Sequence, residues 1–258
     1  MWLRLRQIAL VAPELEPIVE DLCSVFGLEV CFRDRGVATF GLENALFPVG
    51  NEFIEVVAPT EEGTAGGRYL ERRNGPGGYM VITQCDDHAP RRKRVEELGI
   101  RIVNQFDVPE QFRNMQMHPK DTGGSFFEID EQLGDGAHDR DGPWLPAGGA
   151  SWKAAQRTDR VRGIAAAELQ LDDPAKVAAR WAEIAELPVE QTAAGHPRIR
   201  LENAEVRFVP CTDGRPEGLG GLDLPVVDRD AIIASARERG CLRGDDQVYL
   251  CGMRFNLT

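Results

Sequence analysis

Apolar positions along the chain recur in four similar blocks, and each block predicts a strand, a helix and a further strand. The first block alternates over residues 3–11 and then places apolar residues three or four apart up to Phe26, where the following glycine ends the helix. The other blocks begin near Gly77, Gly163 and Gly221. Recurrence of one supersecondary unit indicates an internally repeated fold.

The first two blocks continue into three further strands each, which gives both the order β-α-β-β-β. The predicted strands after each helix lie at 28–32, 37–48 and 52–57 in the first block and at 101–105, 112–118 and 125–130 in the second. The glycine-rich connector between the blocks holds one predicted helical turn at 69–73. Turn-forming residues fill the hairpin after His118. The third block repeats this plan, and the fourth repeats it in shortened form.

Residues 132–160 are rich in Gly, Asp, Pro and Ala and show no hydrophobic period, which predicts a linker. Trp144 and Trp152 indicate that this linker packs on the surface of a domain. We therefore predict an α+β fold with a first domain at 1–131 and a second, degenerate domain at 161–258. Four βαβββ-type modules, the fourth shortened, would form two cup-shaped mixed sheets with helices on the outer face.

Composition limits the function classes. The 258 residues are 42% hydrophobic, as in folded proteins, and the net charge of −12 argues against nucleic acid or an anionic membrane as partner. The six cysteines form no CxxC pair, which favours reduced thiols, and no stretch is typical of a signal peptide or a membrane span. We expect a cytoplasmic protein whose partner is a small molecule, and a homodimer stays open.

Strand alternation brings two carboxyl groups into apolar surroundings. In the first strand Ile8 and Leu10 suit the helix side, which turns Leu5, Gln7 and Ala9 toward the concave side. By the same alternation Glu55 lies with Phe53, and Glu128 lies with Phe126 and Asp130. A carboxylate in such strands requires a partner, a proton or a metal.

The strand motifs resemble those of the vicinal oxygen chelate superfamily, which includes glyoxalase I, methylmalonyl-CoA epimerase, extradiol dioxygenases and bleomycin-resistance proteins. The matching segments are Gln-Ile-Ala-Leu at 7–10, Ile-Glu-Val-Val at 54–57, the strand and turn at 80–87, Glu128, and His-Pro-Lys at 118–120. The spacing from Gln7 to Glu55 equals that from Met80 to Glu128, so the two units superimpose without a gap. The resemblance implies two tandem glyoxalase-like domains.

The resemblance also implies that four strand residues at the floor of a cup can hold a divalent metal. Those positions are Gln7, Glu55, Met80 and Glu128. Gln7, Glu55 and Glu128 offer oxygen, whereas the thioether of Met80 is a poor ligand for hard cations. We therefore expect no cofactor, with a weakly bound divalent metal as the alternative. In the second half the corresponding positions are predicted as Ala166, Val206, Leu222 and Asn256.

The resulting hypothesis is a protein that binds a small organic molecule in the first cup without a tightly bound metal. Its ligand-binding residues are predicted to be Gln7, Phe53, Met80, Phe126 and His118. The alternative is a metal-assisted lyase, isomerase or epimerase acting on a small carbonyl compound, with Glu55 and Glu128 catalytic. A scaffold without ligand is the third reading.

Overall fold

The computed structural model describes residues 1–258, and its two mixed sheets and six α-helices form an α+β fold. The first sheet consists of β1 (Leu3–Val11), β2 (Leu42–Val49), β3 (Glu52–Pro59), β4 (Gly77–Cys85), β5 (Ile102–Asn104), β6 (Asp107–Val108), β7 (Phe112–Arg113), β8 (Gln116–Met117) and β9 (Phe126–Gln132). The second consists of β10 (Ala166–Leu171), β11 (Val189–Gln191), β12 (Pro197–Arg200), β13 (Glu205–Pro210), β14 (Gly218–Leu224), β15 (Leu242–Arg243), β16 (Gln247–Leu250) and β17 (Met253–Leu257). The helices are α1 (Leu15–Phe26), α2 (Ala65–Arg73), α3 (His88–Glu97), α4 (Pro119–Thr122), α5 (Pro174–Ala185) and α6 (Arg229–Glu238). None of them is long and apolar enough to cross a bilayer.

The two sheets repeat one strand plan. In the first, β1 lies parallel to β3 and antiparallel to β4, and β4 lies parallel to β9. In the second, β10 lies parallel to β13 and antiparallel to β14, and β14 lies parallel to β17. This repetition is what the periodic sequence blocks predicted.

Several predicted strands differ from the observed elements. Residues 28–32 contribute only an isolated bridge from Phe32 to Leu46, and Arg35–Phe40 forms a 3₁₀ helix, so the next strand begins at Leu42. This helix starts where the carboxylate of Asp34 accepts a hydrogen bond from the Gly36 amide, a local bond that competes with strand pairing. The predicted strand at 112–118 divides into β7 and β8, and the predicted turn after His118 contains α4. The helical turn predicted at 69–73 lies in α2.

One hydrophobic core joins the two halves. Trp181 of α5 stacks on Phe127 of β9 with ring centroids 4.2 Å apart and planes 6° from parallel. Phe26 of α1 contacts Phe255 of β17 at 5.1 Å. All four side chains are almost fully buried and belong to the same apolar cluster. Because the helix-bearing faces share this core, the opposite, concave faces of the two sheets are left for other roles.

A β-bulge in β1 sets which residues reach the concave face of the first sheet. The pairing of β1 with β4 shifts between Leu5 and Gln7, so Arg6 is the inserted residue. Leu5 consequently lies in the shared core with Ile8, and the prediction that it faces the concave side is wrong. Gln7 faces the concave side, where its side chain forms hydrogen bonds with Glu55 and Trp144.

The linker fills one end of the concave face. Trp144 and Trp152 are fully buried there in an apolar cluster with Phe53. The guanidinium group of Arg6 lies over the rings of all three residues and donates hydrogen bonds to the linker carbonyls of Arg140 and Gly142. The linker therefore packs inside the cup of the first half, and only the other end of the cup stays open.

Candidate functional site

The open end of the first cup is a cavity of about 610 Å³. Of the residues that the sequence proposed for the site, six line this cavity: Gln7, Glu55, Met80, His118, Phe126 and Glu128. Phe53 does not line it, because the ring of Trp152 covers Phe53 edge-on at 5.2 Å and leaves it without exposed surface. Phe53 is thus an exception because Trp152, which belongs to the linker much further along the chain, covers it.

One side of the cavity floor is a hydrogen-bonded set around Glu55. Its Oε2 accepts a bond of 2.8 Å from Nε2 of Gln7, and its Oε1 accepts one of 2.6 Å from Nδ2 of Asn44. The Gln7 carbonyl oxygen accepts a bond of 2.8 Å from the indole N–H of Trp144. An indole can only donate, so this contact fixes the orientation of the Gln7 amide.

The surroundings of Glu55 act on its pKa in two opposite directions. Burial raises its pKa, while the hydrogen bonds from Asn44 and Gln7 act in the opposite direction. Both carboxylate oxygens of Glu55 accept hydrogen bonds from side-chain amides, which carry no positive charge. Glu55 is therefore held in place by neutral groups in the interior.

The other side of the floor is formed by Glu128, and the fully buried Asp130 lies next to it on the same face of β9. Nδ2 of Asn114 donates a bond of 2.9 Å to Oδ1 of Asp130, whose Oδ2 meets no N–H donor. Burial raises the pKa of Glu128 to about 7, with the charge of Glu55 adding to the rise. Burial and the neighbouring Glu128 raise the pKa of Asp130 well above its usual range. Burial beside Glu128 therefore favours the protonated form of Asp130, which can share its proton with Glu128, since two buried neighbouring carboxylates cannot both ionise cheaply.

The donor set at the floor does not fit a divalent metal. The Gln7 amide presents N–H to Glu55, so a hydrogen atom stands where a shared ion would lie. Met80 supplies a thioether, and the described chain holds no group of three or more His, Cys, Asp or Glu side chains in a ligating arrangement.

Aromatic rings form one wall of the cavity. Tyr79 contacts Tyr69 at 4.9 Å and Phe126 at 5.0 Å, both edge-on. The Tyr69 hydroxyl donates to the carbonyl of Gly78, which satisfies its polar end. His118 stands at the edge of this wall, where its Nδ1 accepts a bond of 3.0 Å from the Lys120 amide and caps α4. The Nε2 of His118 therefore carries the proton in the neutral ring.

The second sheet is aligned with the first by a shared irregularity. Pairing shifts after Ala9 in β1 and after Glu168 in β10, so these two residues are equivalent. The parallel neighbour of Ala9 is Glu55, and the parallel neighbour of Glu168 is Arg207. An arginine thus occupies the position of Glu55.

The same alignment places Ala166, Gly221 and Asn256 at the positions of Gln7, Met80 and Glu128. The predictions of Ala166 and Asn256 agree with these registers. The prediction of Val206 was one residue too early, and that of Leu222 was one residue too late. Both lie in the shared core, because a shift of one residue moves a side chain to the opposite face of a strand.

Ion pairs close the concave face of the second sheet. Both terminal nitrogens of Arg207 contact the Asp223 carboxylate at 2.7 Å. Arg254 contacts Glu168 at 2.7 Å, and Asn256 donates a bond of 2.8 Å to Asp223. The polar atoms of these side chains are paired with one another, so this face has no set of unpaired groups comparable to the floor of the first cup.

The comparisons with known proteins agree with this architecture. The family described as Glyoxalase-like domain matches residues 8–185, more than half of the chain. The chain belongs to the glyoxalase-like domain family. The match runs from β1 through the linker to α5, and it confirms the resemblance to the vicinal oxygen chelate superfamily.

Individual relatives cover the chain to different extents. An ethylmalonyl-CoA/methylmalonyl-CoA epimerase of Cereibacter sphaeroides is 24% identical over 131 residues, which are 50% of this chain and 97% of that protein. The crystal structure of a hypothetical protein from Staphylococcus aureus is 10% identical and covers 99% of both chains with a TM-score of 0.66. The fold is therefore shared over the whole length. The methylmalonyl-CoA epimerase of Mycobacterium tuberculosis covers 50% of this chain and 88% of its own at 23% identity, with a TM-score of 0.44.

Sequence reasoning missed four polar groups at or behind the floor: Asn44 and Asn114, which line the cavity, and Asp130 and Trp144, which are fully buried. Asp130 was placed beside Glu128 by alternation, but its role as a proton-sharing partner was not inferred. Asn44 and Asn114 also occupy positions that strand alternation assigns to the concave face. Trp144 was expected to pack on a domain, but nothing local indicated that it reaches Gln7, 137 residues away along the chain.

Proposed function

We propose that the first cup binds a small organic molecule, and that it does so without a metal ion. The observation that supports this most strongly is the cavity itself, which combines an aromatic wall with a floor of hydrogen-bonding groups. Ligand sites in proteins typically have this size and this mixture of apolar lining with few polar groups. The second cup lacks the equivalent groups.

The floor favours a ligand that carries a carbonyl or hydroxyl group. Near neutral pH Glu128, whose pKa is about 7, is partly protonated, so it can donate to a ligand oxygen or accept from a ligand hydroxyl. The apolar part of the ligand would then contact Met80 and Phe126. Buried polar groups that a ligand satisfies contribute more to specificity than to affinity.

A thermal-shift screen of small carbonyl compounds and aromatics tests this proposal. Met80→Trp should fill the cavity beside the floor and abolish the stabilisation that any binding compound gives to the native protein. Tyr249→Trp introduces the same indole on the second sheet and should leave that stabilisation intact. Equal stabilisation of the native protein and Met80→Trp by the same compounds would refute the proposal.

Proton transfer at this floor is the second candidate function. A carboxyl group whose pKa lies at about 7 is suited to general acid–base catalysis at neutral pH. The epimerase of Cereibacter sphaeroides supplies a compound to try. Glu128 would accept a proton from the carbon next to a carbonyl group and return it to the opposite face or to a neighbouring atom.

Deuterium uptake from solvent into the α-carbon of methylmalonyl-CoA, followed by NMR, tests this second function. Glu128→Gln should slow uptake by about 10²–10⁴-fold, the usual contribution of a positioned acid–base group. Glu131→Gln, on the opposite face of the same strand, serves as the control. Identical uptake in all three proteins would exclude Glu128 as the base.

A further inference from the structure

The mouth of the first cup has an apolar rim. Six large hydrophobic side chains are exposed in the whole chain, and three of them line this cavity. They are Phe40, Val103 and Phe106, with exposed fractions of 57%, 45% and 43%. Phe106 also stacks on Phe112 within the cavity lining. Exposed apolar groups concentrated at one opening indicate a surface that a ligand covers.

Three cations line the same mouth without an ion pair. They are Arg68, Arg72 and Lys120. The Arg68 side chain donates only to the carbonyl of Gly63, Arg72 lies over the Tyr69 ring at 5.1 Å, and the Lys120 ammonium group has no hydrogen-bond partner. The chain carries 42 acidic and 30 basic residues, so unpaired cations gathered at one opening are unexpected on composition alone.

These cations lie close to the aromatic wall. The charges of Arg68 and Arg72 both act on the Tyr79 hydroxyl, and the charges of Arg72 and Lys120 both act on the His118 ring. Three acidic groups line the cavity: Asp34 accepts from the Gly36 amide at the rim, and Glu55 and Glu128 lie at the floor. Their combined charge at neutral pH is smaller than their number suggests, because burial favours the protonated forms of the two floor groups.

We propose that the ligand of this cup is an amphiphilic organic anion. Its apolar body would lie against the aromatic wall and the rim formed by Phe40, Val103 and Phe106. Its carboxylate, sulfonate or phosphate group would lie at the mouth beside Arg68, Arg72 and Lys120. This inference rests on the proposed binding function and adds the charge and the polarity of the ligand to it.

Two probes with nearly the same apolar body test the inference. 8-Anilinonaphthalene-1-sulfonate carries one negative charge, and N-phenyl-1-naphthylamine is the uncharged counterpart. Fluorescence titration should show that replacing Arg68, Arg72 and Lys120 together by Gln weakens sulfonate binding about tenfold, the sum expected of three partly screened charges. The same triple change should leave the Kd of the uncharged probe unaltered.

A matched variant controls for net charge. Lys93→Gln, Lys176→Gln and Arg237→Gln together remove three charges from helix surfaces outside the cavity and should alter neither affinity. Raising the ionic strength from about 0.05 M to about 0.5 M should weaken only sulfonate binding, as screening requires.

Two failures are distinguishable. If the mouth variant binds the sulfonate as tightly as the native protein does, or weakens both probes equally, the anionic ligand class is wrong although the cup still binds organic molecules. If neither probe binds, or Met80→Trp leaves both affinities unchanged, the proposed function fails and this inference fails with it.

Discussion

The concave faces of the two sheets share a strand plan but differ in how their carboxyl groups are satisfied. In the first, Glu55 is held by amides and Glu128 shares a proton with Asp130. In the second, Asp223 and Glu168 are neutralised by Arg207 and Arg254.

The difference separates a structural surface from a candidate site. Arginine pairs satisfy each carboxylate with an opposite charge and leave little for a ligand to do. Neutral partners leave the carboxyl groups of the first cup with raised pKa values, a feature that costs stability and is concentrated at functional sites. The same fold thus supports one open cup and one closed face.

Leu222→Ala should have the largest effect on stability. Leu222 is fully buried in the shared core, so its truncation should lower the free energy of unfolding by about 2–5 kcal/mol. Met80→Ala removes a side chain that faces the cavity and should cost clearly less. Urea unfolding measures both, and equal losses would show that Met80 is also core.

The pH dependence of stability should come next in size. The folded state keeps the Glu128 proton up to about pH 7, whereas an ordinary glutamate loses it near 4.5. The contribution of Glu128 to the free energy of unfolding is therefore fully present below about pH 4.5. It falls by roughly 3 kcal/mol as the pH rises to about 7, and it stays constant above that. Glu128→Gln should be more stable than the native protein at pH 8 and equal to it at pH 4.

Denaturant titrations at both pH values measure this difference. Glu168→Gln provides the matched control on the second sheet, where it breaks the contact with Arg254 and should gain nothing at pH 8. The raised pKa of Glu128 would be contradicted if the native protein became more stable, relative to Glu128→Gln, between pH 4.5 and 7.

Breaking the ion pairs of the second sheet should have a smaller effect. Asp223→Asn leaves the partly buried Arg207 with Glu168 and Glu205 as remaining partners, so we expect a loss of about 1–2 kcal/mol. The loss should shrink in high salt, and probe binding in the first cup should not change. Altered probe affinity would show that the second face takes part in binding.

Metal removal should have the smallest effect. Because the floor does not fit a divalent cation, EDTA should leave the melting temperature and the probe affinity unchanged. Replacing Gln7 and Met80 together by histidine should create a metal site with Glu55 and Glu128, measurable as stoichiometric zinc. Stoichiometric metal in the native protein, lost with EDTA together with probe binding, would reverse this interpretation.

The repeat and the strand plan were predictable because hydrophobic alternation and helical spacing depend on local sequence. Strand alternation placed Gln7, Glu55 and Glu128 on the concave side, and the family resemblance added Met80. The bulge at Arg6 was not predictable, since one inserted residue leaves the apolar pattern unchanged while reversing the direction of Leu5. The internal alignment of the second half placed Val206 one residue before and Leu222 one residue after the concave positions.

Long-range contacts account for the rest. Phe53 was expected in the site, and nothing local indicates that Trp152 covers it. Trp144 fixes the Gln7 amide and thereby decides which atom faces Glu55. Such contacts depend on how a linker without hydrophobic period packs, and a periodic pattern carries no information on that.

Methyl NMR on the five methionines tests most directly that the first cup, and not the second, is the binding site. Met80 lines the cavity, Met115 and Met117 lie in the core beneath the first sheet, Met253 lies in the second half, and Met1 is exposed at the start of the chain. Titration with 8-anilinonaphthalene-1-sulfonate should shift the Met80 methyl resonance saturably, with the affinity measured by fluorescence, and leave Met253 unmoved. A saturable shift of Met253 with an unmoved Met80 would contradict the account.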